Sequence, residues 1–399
     1  MSRCLVNPMR ILSIAAFLGA LFASVGGQEL RASSPQVPQC RMWTLSPGTG
    51  RLEGEVRGLA APSADNIWAV GSFQAQTRTT TTRGAFLHWN GKTWTIVPSP
   101  SRGSETLLTS LAALSSDDIW AVGTAVFIPS GDAENFQKSL IEHWNGKVWK
   151  IVPSPSVRHH TELASVVAIS RNDIWAVGRS YVADFDGFPL AEHWNGGRWT
   201  LMKLPNPGTG SLASVAVTSN GRLLSVGSYL DANYHYRPLA ETWNGTSWAR
   251  AGVSLPALAK DNDAYLNAVG VTSRGDAWTV GTQSRTPNQA LIERQNQGNW
   301  TVGEPPPTSK MLLLSGVLAL SSSDVWIAGQ IGVISKTFVA KWNGTNWSVV
   351  PSANAGKILN LLTTVVVVPG QGLVAAGSFE TLSGKHTITR PLVEWYKAW

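Results

Sequence analysis

A short apolar motif ending in glycine recurs along this chain and limits its fold more than any other feature. It first occurs as Asn-Ile-Trp-Ala-Val-Gly at residues 66–71. Close copies lie at 118–123 and 173–178, and weaker copies at 223–227, 277–281, 325–329 and 373–377. The glycines that close the seven copies are 48 to 55 residues apart. A period of this length is the signature of a repeat architecture.

Each copy is embedded in the same longer pattern. An apolar segment such as 107–114 and a Ser/Asp turn precede the motif, and a variable loop follows it. A third segment then ends in Trp-Asn-Gly, as at 144–146, and a fourth begins at the next Trp, as at 149–153. Asn-Gly is a strong hairpin signal because both residues tolerate positive φ. Four strands repeated seven times predict an all-β fold, a seven-bladed β-propeller of four-stranded antiparallel blades.

The two ends of the repeat region predict how the ring closes. The seventh third strand ends near Trp395, and no fourth strand follows it in the sequence. The segment Trp43–Pro47, however, resembles the fourth strand Trp94–Pro98 of the first blade. We therefore predict that an N-terminal strand completes the last blade and removes the open edge between first and last blades. The propeller would span residues 43–399.

The N-terminus has the pattern of an export signal. Arg3 and Arg10 precede an apolar stretch of 15 residues, 11–25, and two glycines follow it. This stretch is shorter than the roughly 20 residues that span a bilayer. The pattern predicts a signal peptide at 1–27 and a linker at 28–42, so that the protein is secreted or lies in the cell envelope. A retained N-terminal anchor is the alternative, and we expect no other membrane contact.

Charge and cysteine content exclude several classes of function. The formal net charge of +7 is mild for 399 residues, and no run of Lys or Arg is present. A nucleic-acid partner is therefore not expected. Cys4 precedes the apolar stretch and leaves with the signal peptide, so Cys40 would have no intramolecular partner. We expect no cofactor and a monomeric protein.

The repeat resembles a known group of propellers. Its period, its apolar strand ending in glycine and its downstream aromatic pair resemble kelch-type propellers of the galactose-oxidase-like group, across residues 43–399. Single glycines replace the double glycine of that pattern. The hairpin Gly91–Trp94 also resembles the second half of the Asp-box of sialidase-like propellers, but Trp89 stands where the box has its aspartate. The resemblance implies an architecture, and neither family's activity follows from it.

Residues that recur once per blade are interpreted as scaffold. All 19 tryptophans fall on or beside three strand positions, which indicates packing between blades. Five glutamates share one third-strand position and are interpreted as structural, namely Glu142, Glu192, Glu241, Glu293 and Glu394. Histidines also repeat just before Trp-Asn-Gly. The aspartates that precede the motif, such as Asp118, Asp173 and Asp324, are expected to bond turn amides.

The variable loops of blades three and four hold the candidate site. Second-to-third-strand loops and inter-blade connections lie on one face of a propeller, and variable loops on a rigid scaffold are where binding usually occurs. Aromatic rings beside Asp, His and Arg suit a polyhydroxylated ligand or a peptide. The predicted ligand-binding residues are His159, His160, Tyr181, Asp184, Asp186, Tyr229, Tyr234, His235 and Arg237. They show no fixed spacing of metal ligands, so no metal is predicted.

Two functions from different classes remain open. The first is an exported, non-catalytic binding module for a glycan or protein ligand at the cell surface, because no catalytic motif stands out. The alternative is a carbohydrate-active enzyme. A sialidase-like hydrolase would need an arginine cluster, a nucleophilic tyrosine and acids near the channel mouth, and a galactose-oxidase-like oxidase would need a Cys–Tyr pair. Cys40 precedes the first blade, which disfavours the oxidase. A purely structural role in the envelope is a third possibility.

Overall fold

The protein is a seven-bladed β-propeller. The computed structural model describes residues 43–47, 52–74, 83–100, 102–128, 135–155, 160–182, 187–205, 208–253, 262–284, 288–296, 298–384 and 386–397. All regular elements among them are strands, and they form seven four-stranded antiparallel sheets. In this part of the chain, no helix is long and apolar enough to cross a membrane. The predicted signal peptide, 1–27, and linker, 28–42, lie outside the described residues.

Six blades are formed by four consecutive strands each, and the seventh takes its outer strand from the N-terminus. Blade one comprises β2 (Glu53–Ser63), β3 (Asn66–Gln74), β4 (Arg83–Trp89) and β5 (Trp94–Pro98), and blade two β6 (Glu105–Ser115), β7 (Asp118–Phe127), β8 (Phe136–Trp144) and β9 (Trp149–Ile151). Blade three comprises β10 (His160–Ser170), β11 (Asp173–Tyr181), β12 (Phe188–Trp194) and β13 (Trp199–Leu201), and blade four β14 (Gly210–Val217), β15 (Leu223–Leu230), β16 (Tyr236–Trp243) and β17 (Trp248–Ala251). Blade five comprises β18 (Ala264–Val271), β19 (Ala277–Gln283), β20 (Gln289–Asn296) and β21 (Asn299–Val302), and blade six β22 (Leu312–Ser321), β23 (Asp324–Ile331), β24 (Lys336–Trp342) and β25 (Trp347–Val349). Blade seven comprises β26 (Asn360–Val368), β27 (Gly372–Ser383), β28 (His386–Tyr396) and β1 (Thr44–Leu45).

The predicted closure of the ring is confirmed. Strand β1 pairs antiparallel with β28, with Thr44 opposite Trp395. The next residue but one, Ser46, is buried, and its hydroxyl accepts hydrogen bonds from the indole N–H groups of Trp94 at 2.9 Å and Trp395 at 3.1 Å. One side chain therefore joins the first and last blades.

The repeated glycine has a steric cause. In every blade the first strand carries a β-bulge, and the closing glycine lies opposite the residue that precedes it. A Cβ atom at Gly281 would lie 1.8 Å from the carbonyl oxygen of Tyr265, and one at Gly227 would lie 2.0 Å from that of Ser211. The other five glycines meet the same carbonyl at 1.9 to 2.0 Å. Only glycine allows the two strands to approach this closely.

The tryptophans pack between blades, as interpreted from their periodicity. Trp68 in the second strand of blade one contacts Trp144 and Trp149 of blade two, with ring centroids 4.9 and 5.4 Å apart. Trp175 and Trp278 make equivalent contacts with the tryptophans of the following blades. These interfaces thus bury large aromatic surfaces in tilted or edge-to-face geometries, which stabilise the packing of one blade on the next.

The repeated aspartates serve a different purpose from the one expected. Asp118 lies 2.8 Å from the imidazole Nε2 of His143, and Asp173 lies 2.9 Å from that of His193. His143 in turn stacks on Trp120, with centroids 4.3 Å apart. Asp324 accepts from an indole N–H at 2.8 Å. The prediction that these carboxylates bond turn amides is wrong, because the neighbouring ring nitrogens take their oxygens.

The five repeated glutamates are fully buried between blades. Ser99 of blade one donates to Glu142 of blade two at 2.6 Å, and Ser154 of blade two donates to Glu192 of blade three at 2.9 Å. Glu241 and Glu293 have no hydrogen-bond partner for either carboxyl oxygen among the described residues. Burial raises the pKa of Glu142 and Glu293 to about 8 and that of the other three to about 7. These acids belong to the scaffold, as interpreted.

Candidate ligand-binding face

The two faces of the disc differ in their connections. On one face, first and second strands are joined by turns of two to five residues, and third and fourth strands by tight Asn-Gly-type hairpins. On the other face lie the second-to-third-strand loops and the inter-blade connections, such as residues 231–235 and 303–311. We call this second face the variable-loop face. It is the face that the sequence predicts to bind ligand.

The predicted site residues are only partly described. His159, Asp184 and Asp186 lie outside the described residues. The other six all lie on or just below the variable-loop face of blades three and four. Within the described ranges, no group of three or more His, Cys, Asp or Glu side chains is arranged to hold a metal ion.

His160 and Tyr181 form one stacked pair at the edge of blade three. Their ring centroids are 4.9 Å apart, and the Nδ1 atom of His160 accepts the backbone N–H of Gln137 at 3.2 Å. Tyr181 is 7% exposed, and its hydroxyl donates to Glu162 at 3.1 Å. The pair joins blade two to blade three and supports the loops above it.

Arg237 and Tyr229 are also engaged in contacts within the protein. The buried Arg237 donates from Nε to Asp231 at 2.7 Å and from Nη1 to the carbonyl oxygen of Asn262 at 3.0 Å. The ring of Tyr229 lies under the guanidinium of Arg250, with Cζ 4.0 Å from the ring centroid. Both residues stiffen the frame of blade four.

Tyr234, by contrast, projects into solvent from the loop of blade four. Its side chain is 83% exposed, and its φ of 61° lies in the left-handed region. The Asp231 carboxylate holds this loop by accepting the backbone N–H groups of Asn233 at 2.9 Å and His235 at 3.0 Å. The bond from His235 is the main cause that lowers the pKa of Asp231. A bulky residue in this backbone region is an outlier, and such outliers cluster at functional sites.

A pocket of about 460 Å³ lies at the mouth of the central channel on the variable-loop face. We call it the mouth pocket; blades one to four line it. Its charged side chains are Arg57, Glu162 and Arg179. Arg179 donates from Nε to Glu162 at 2.7 Å, and Arg57 donates from Nε to Glu55 at 2.7 Å. Its volume is within the range of roughly 300–1,000 Å³ that is typical of small-molecule sites.

Sequence reasoning missed the charged residues of the mouth pocket. Glu162 and Arg179 lie opposite each other in neighbouring strands of blade three. The equivalent pairs are Leu107 with Thr124 in blade two and Ser211 with Ser228 in blade four. Aligning the repeats on their closing glycines would have revealed this departure from the pattern. Both residues of this ion pair lie within strands, so the pattern of variable loops gives no sign of it.

Several apolar side chains on the variable-loop face are exposed. They lie on the second-to-third-strand connections or at the adjoining strand ends of blades two, three, four, six and seven. They are Ile128, Phe136, Val182, Phe188, Tyr234, Val333, Ile334 and Leu382, and their exposed fractions range from 39% to 91%. The variable-loop face therefore presents apolar side chains to solvent in five of the seven blades.

Other solved propellers share this fold. The structure of YCF48 bound to D1 peptide has a TM-score of 0.53 and 13% identity, covering 92% of this chain and 98% of that chain. The WD40 β-propeller domain of Doa1 has a TM-score of 0.52 and 13% identity, covering 88% and 97%. Polysaccharide lyase Uly1 has a TM-score of 0.54 and 11% identity, covering 92% and 94%. Such low identities show a common fold alone. No family model and no curated protein matches the sequence.

Proposed function

We propose that this protein is an exported, non-catalytic binding propeller that takes up a glycan or protein ligand on its variable-loop face. The N-terminal sequence supports export, and the kelch-type resemblance supports a scaffold whose loops carry the function. Both remain predictions.

The presentation of Tyr234 is the observation that carries this proposal. Its ring is 83% exposed at the tip of blade four, although its backbone is in a region that bulky residues avoid. Asp231 and Arg237 hold the loop in place from below. A rigid tyrosine offers an apolar face and a polar tip at small cost in conformational entropy, which suits a sugar ring or a peptide.

The related propellers support both ligand classes. One is described as bound to a peptide, and another as a polysaccharide lyase. The same fold therefore occurs in a protein described with a peptide and in one described as acting on a polysaccharide. Identities of 11% to 13% do not favour one class over the other.

The proposal is tested by binding of the mature protein to glycan and peptide arrays, followed by titration of the best ligand. Tyr234→Asn combined with His235→Ala removes both rings, and asparagine tolerates positive φ. We expect the affinity to fall by about tenfold or more, since the stacking contact is lost. The thermal midpoint should change by no more than about 2 °C, because neither ring is part of the core.

Val333→Asn is the matched control. Val333 is 91% exposed at the equivalent loop tip of blade six, away from blades three and four. Its replacement should leave both affinity and thermal midpoint unchanged. Equal loss of folding and binding in the Tyr234 variant, or no ligand on either array, would contradict a loop-borne binding site.

One contact beside the mouth pocket motivates a second candidate, a retaining glycoside hydrolase. Tyr181 donates to Glu162 at 3.1 Å, and Arg179 lies 2.7 Å from the same carboxylate. In such an enzyme the Tyr181 oxygen would attack the anomeric carbon while Glu162 takes the phenolic proton. The bond from that carbon to the aglycone oxygen would break, and the aglycone would leave with a proton from water. Arg57 and Arg179 would contact an acidic sugar. A sialidase-like site needs a tyrosine, acids and an arginine cluster near the channel mouth; Tyr181 itself is 7% exposed and lies outside the pocket lining.

Hydrolysis of a chromogenic sialoside by the mature protein tests this candidate. If Tyr181 is the nucleophile, Tyr181→Phe abolishes turnover while leaving sialoside binding intact. No turnover by the native protein above the uncatalysed rate would rule the hydrolase out and would favour the binding module.

A further inference from the structure

Two of the blades that line the mouth pocket carry alanine at a position where the other five blades carry a polar side chain. The residue at each bulge of the first strand points into the central channel, a cavity of about 210 Å³ lined by all seven blades. In blades two, five and seven this residue reaches the next blade. Thr109 donates to the carbonyl oxygen of Leu163 at 2.7 Å, and Asn267 donates to that of Leu314 at 2.8 Å. Blades three and four carry alanine instead, at Ala164 and Ala213, and both line the pocket.

Each arginine of the mouth pocket is paired with a glutamate. Arg179 and Glu162 form one ion pair of 2.7 Å, with side chains 42% and 29% exposed. Arg57 forms a second pair of 2.6 Å with Glu55, which lies beside the pocket and outside its lining. The remaining lining residues are uncharged. Each guanidinium is thus neutralised by a carboxylate, and the two pairs together carry no net charge. The balance therefore favours an uncharged ligand.

The mouth pocket contains both hydrogen-bond donors and hydrogen-bond acceptors. Both oxygens of Glu162 accept protein hydrogen bonds, from Arg179 and Tyr181. Each guanidinium keeps further N–H groups for a ligand, since one face of each makes its ion pair. Gln137 and Ser211 also line the pocket and can donate or accept. A ligand that both accepts and donates at closely spaced atoms fits this set, and hydroxyl groups do so.

We propose that the mouth pocket binds an uncharged sugar residue of a glycan, with the ion pairs of Arg179 and Arg57 orienting its hydroxyl groups over Ala164 and Ala213. This inference rests on the proposed binding function and names the ligand class. It places the sugar at the channel mouth and leaves Tyr234 to contact an adjoining part of the chain. A sialylated or uronate glycan and a peptide are the competing ligands.

Filling the pocket tests its role. Ala164→Asn with Ala213→Asn introduces at both positions the residue that blade five carries as Asn267, so the fold is expected to tolerate it. We expect the affinity for neutral oligosaccharides to fall by about tenfold or more, because the added atoms occupy the sugar's place. The matched control is Ser315→Asn, the same bulge position in blade six, which lines the channel and not the mouth pocket. It should bind as the native protein does.

Salt dependence tests the charge of the ligand. The probes are neutral, sialylated, uronate-bearing and sulfated oligosaccharides together with a peptide array. Dissociation constants for a neutral sugar should change less than about twofold between ~0.05 and ~0.5 M NaCl, since no net charge is screened. Anionic ligands that bind more tightly, or that weaken steeply with salt, would overturn the inference, as would a preference for peptides.

The outcomes separate this inference from the function on which it rests. Loss of binding in the Tyr234 variant with full binding in the double asparagine variant would place the ligand on the loops alone. That result overturns the mouth pocket as a sugar site and leaves the binding module intact. Absence of any ligand on the glycan and peptide arrays overturns both.

Discussion

The closing glycines are the residues on which each blade most directly depends. At each of them the backbone of the bulged first strand approaches so closely that a Cβ atom would overlap a carbonyl oxygen. The oxygen belongs to the backbone of a paired strand, so it can move only if the strand itself shifts. The recurrence of this glycine therefore reflects a close approach of two strands, and none of the seven has positive φ.

A matched pair in blade four tests this steric requirement. Gly227→Ala would place a Cβ 2.0 Å from the carbonyl oxygen of Ser211. We expect it to lower the free energy of unfolding by about 1–3 kcal/mol or more, measured by urea denaturation. Gly252→Ala meets no atom within 4 Å and has no positive φ, so it should be neutral or slightly stabilising. Equal effects of the two changes would show that crowding is not the cause.

The exposed Tyr234 illustrates how far sequence reasoning reaches at this scale. Its place in a variable loop beside other aromatic and charged residues identifies it as a candidate. The sequence does not show that Arg237, three positions after Tyr234, points inward and binds Asp231. Which side chains of a loop face solvent depends on contacts with the next blade, and these are not local in sequence.

The interfaces between blades carry the buried glutamates, and their ionisation links stability to pH. An unfolded glutamate has a pKa of about 4.5, whereas burial raises the pKa of the five folded glutamates to about 7 to 8. Between about pH 4.5 and 8 the folded state thus binds more protons than the unfolded state. Stability contributed by these protonated acids is complete below pH 4.5 and is lost as the pH rises towards 8.

We therefore expect a higher thermal midpoint at pH 5 than at pH 8. Glu293→Gln should flatten this dependence, since glutamine stays neutral and Glu293 has no hydrogen-bond partner among the described residues. The exposed Glu304 provides the control, and Glu304→Gln should leave the dependence unchanged. A midpoint that is constant or rises between pH 5 and pH 8 in the native protein would contradict protonated glutamates at the interfaces.

Strand and blade order could be predicted from the sequence because each repeat combines several local signals. Alternating apolar residues, a Ser/Asp turn and Trp-Asn-Gly mark the strands and hairpins, and the tryptophans mark the interfaces. The bulge in each first strand was not predictable in this way. It turns one residue, such as Arg57 or Ala213, into the channel, and ordinary strand alternation gives no sign of it.

The mouth pocket illustrates the same limit for the whole molecule. Arg57 belongs to blade one and Arg179 to blade three, and only the closed ring brings them to one cavity. Seven similar blades generate a symmetric channel, and the pocket arises from departures from that symmetry at single positions. The variable loops alone indicate His160, Tyr181 and Arg237 as ligand-binding residues. Their side chains are instead engaged in contacts within the protein.

Closure by strand β1 also determines the face of the disc from which the two ends of the propeller leave. A fourth strand runs from the short-turn face towards the variable-loop face, so the chain enters it from the short-turn side. Strand β28 runs in the opposite direction and ends at Tyr396, opposite the start of β1. Both ends of the propeller therefore leave from the side away from the mouth pocket. A tag, a sensor surface or a fused domain joined at either end would leave the opening of the pocket facing outward.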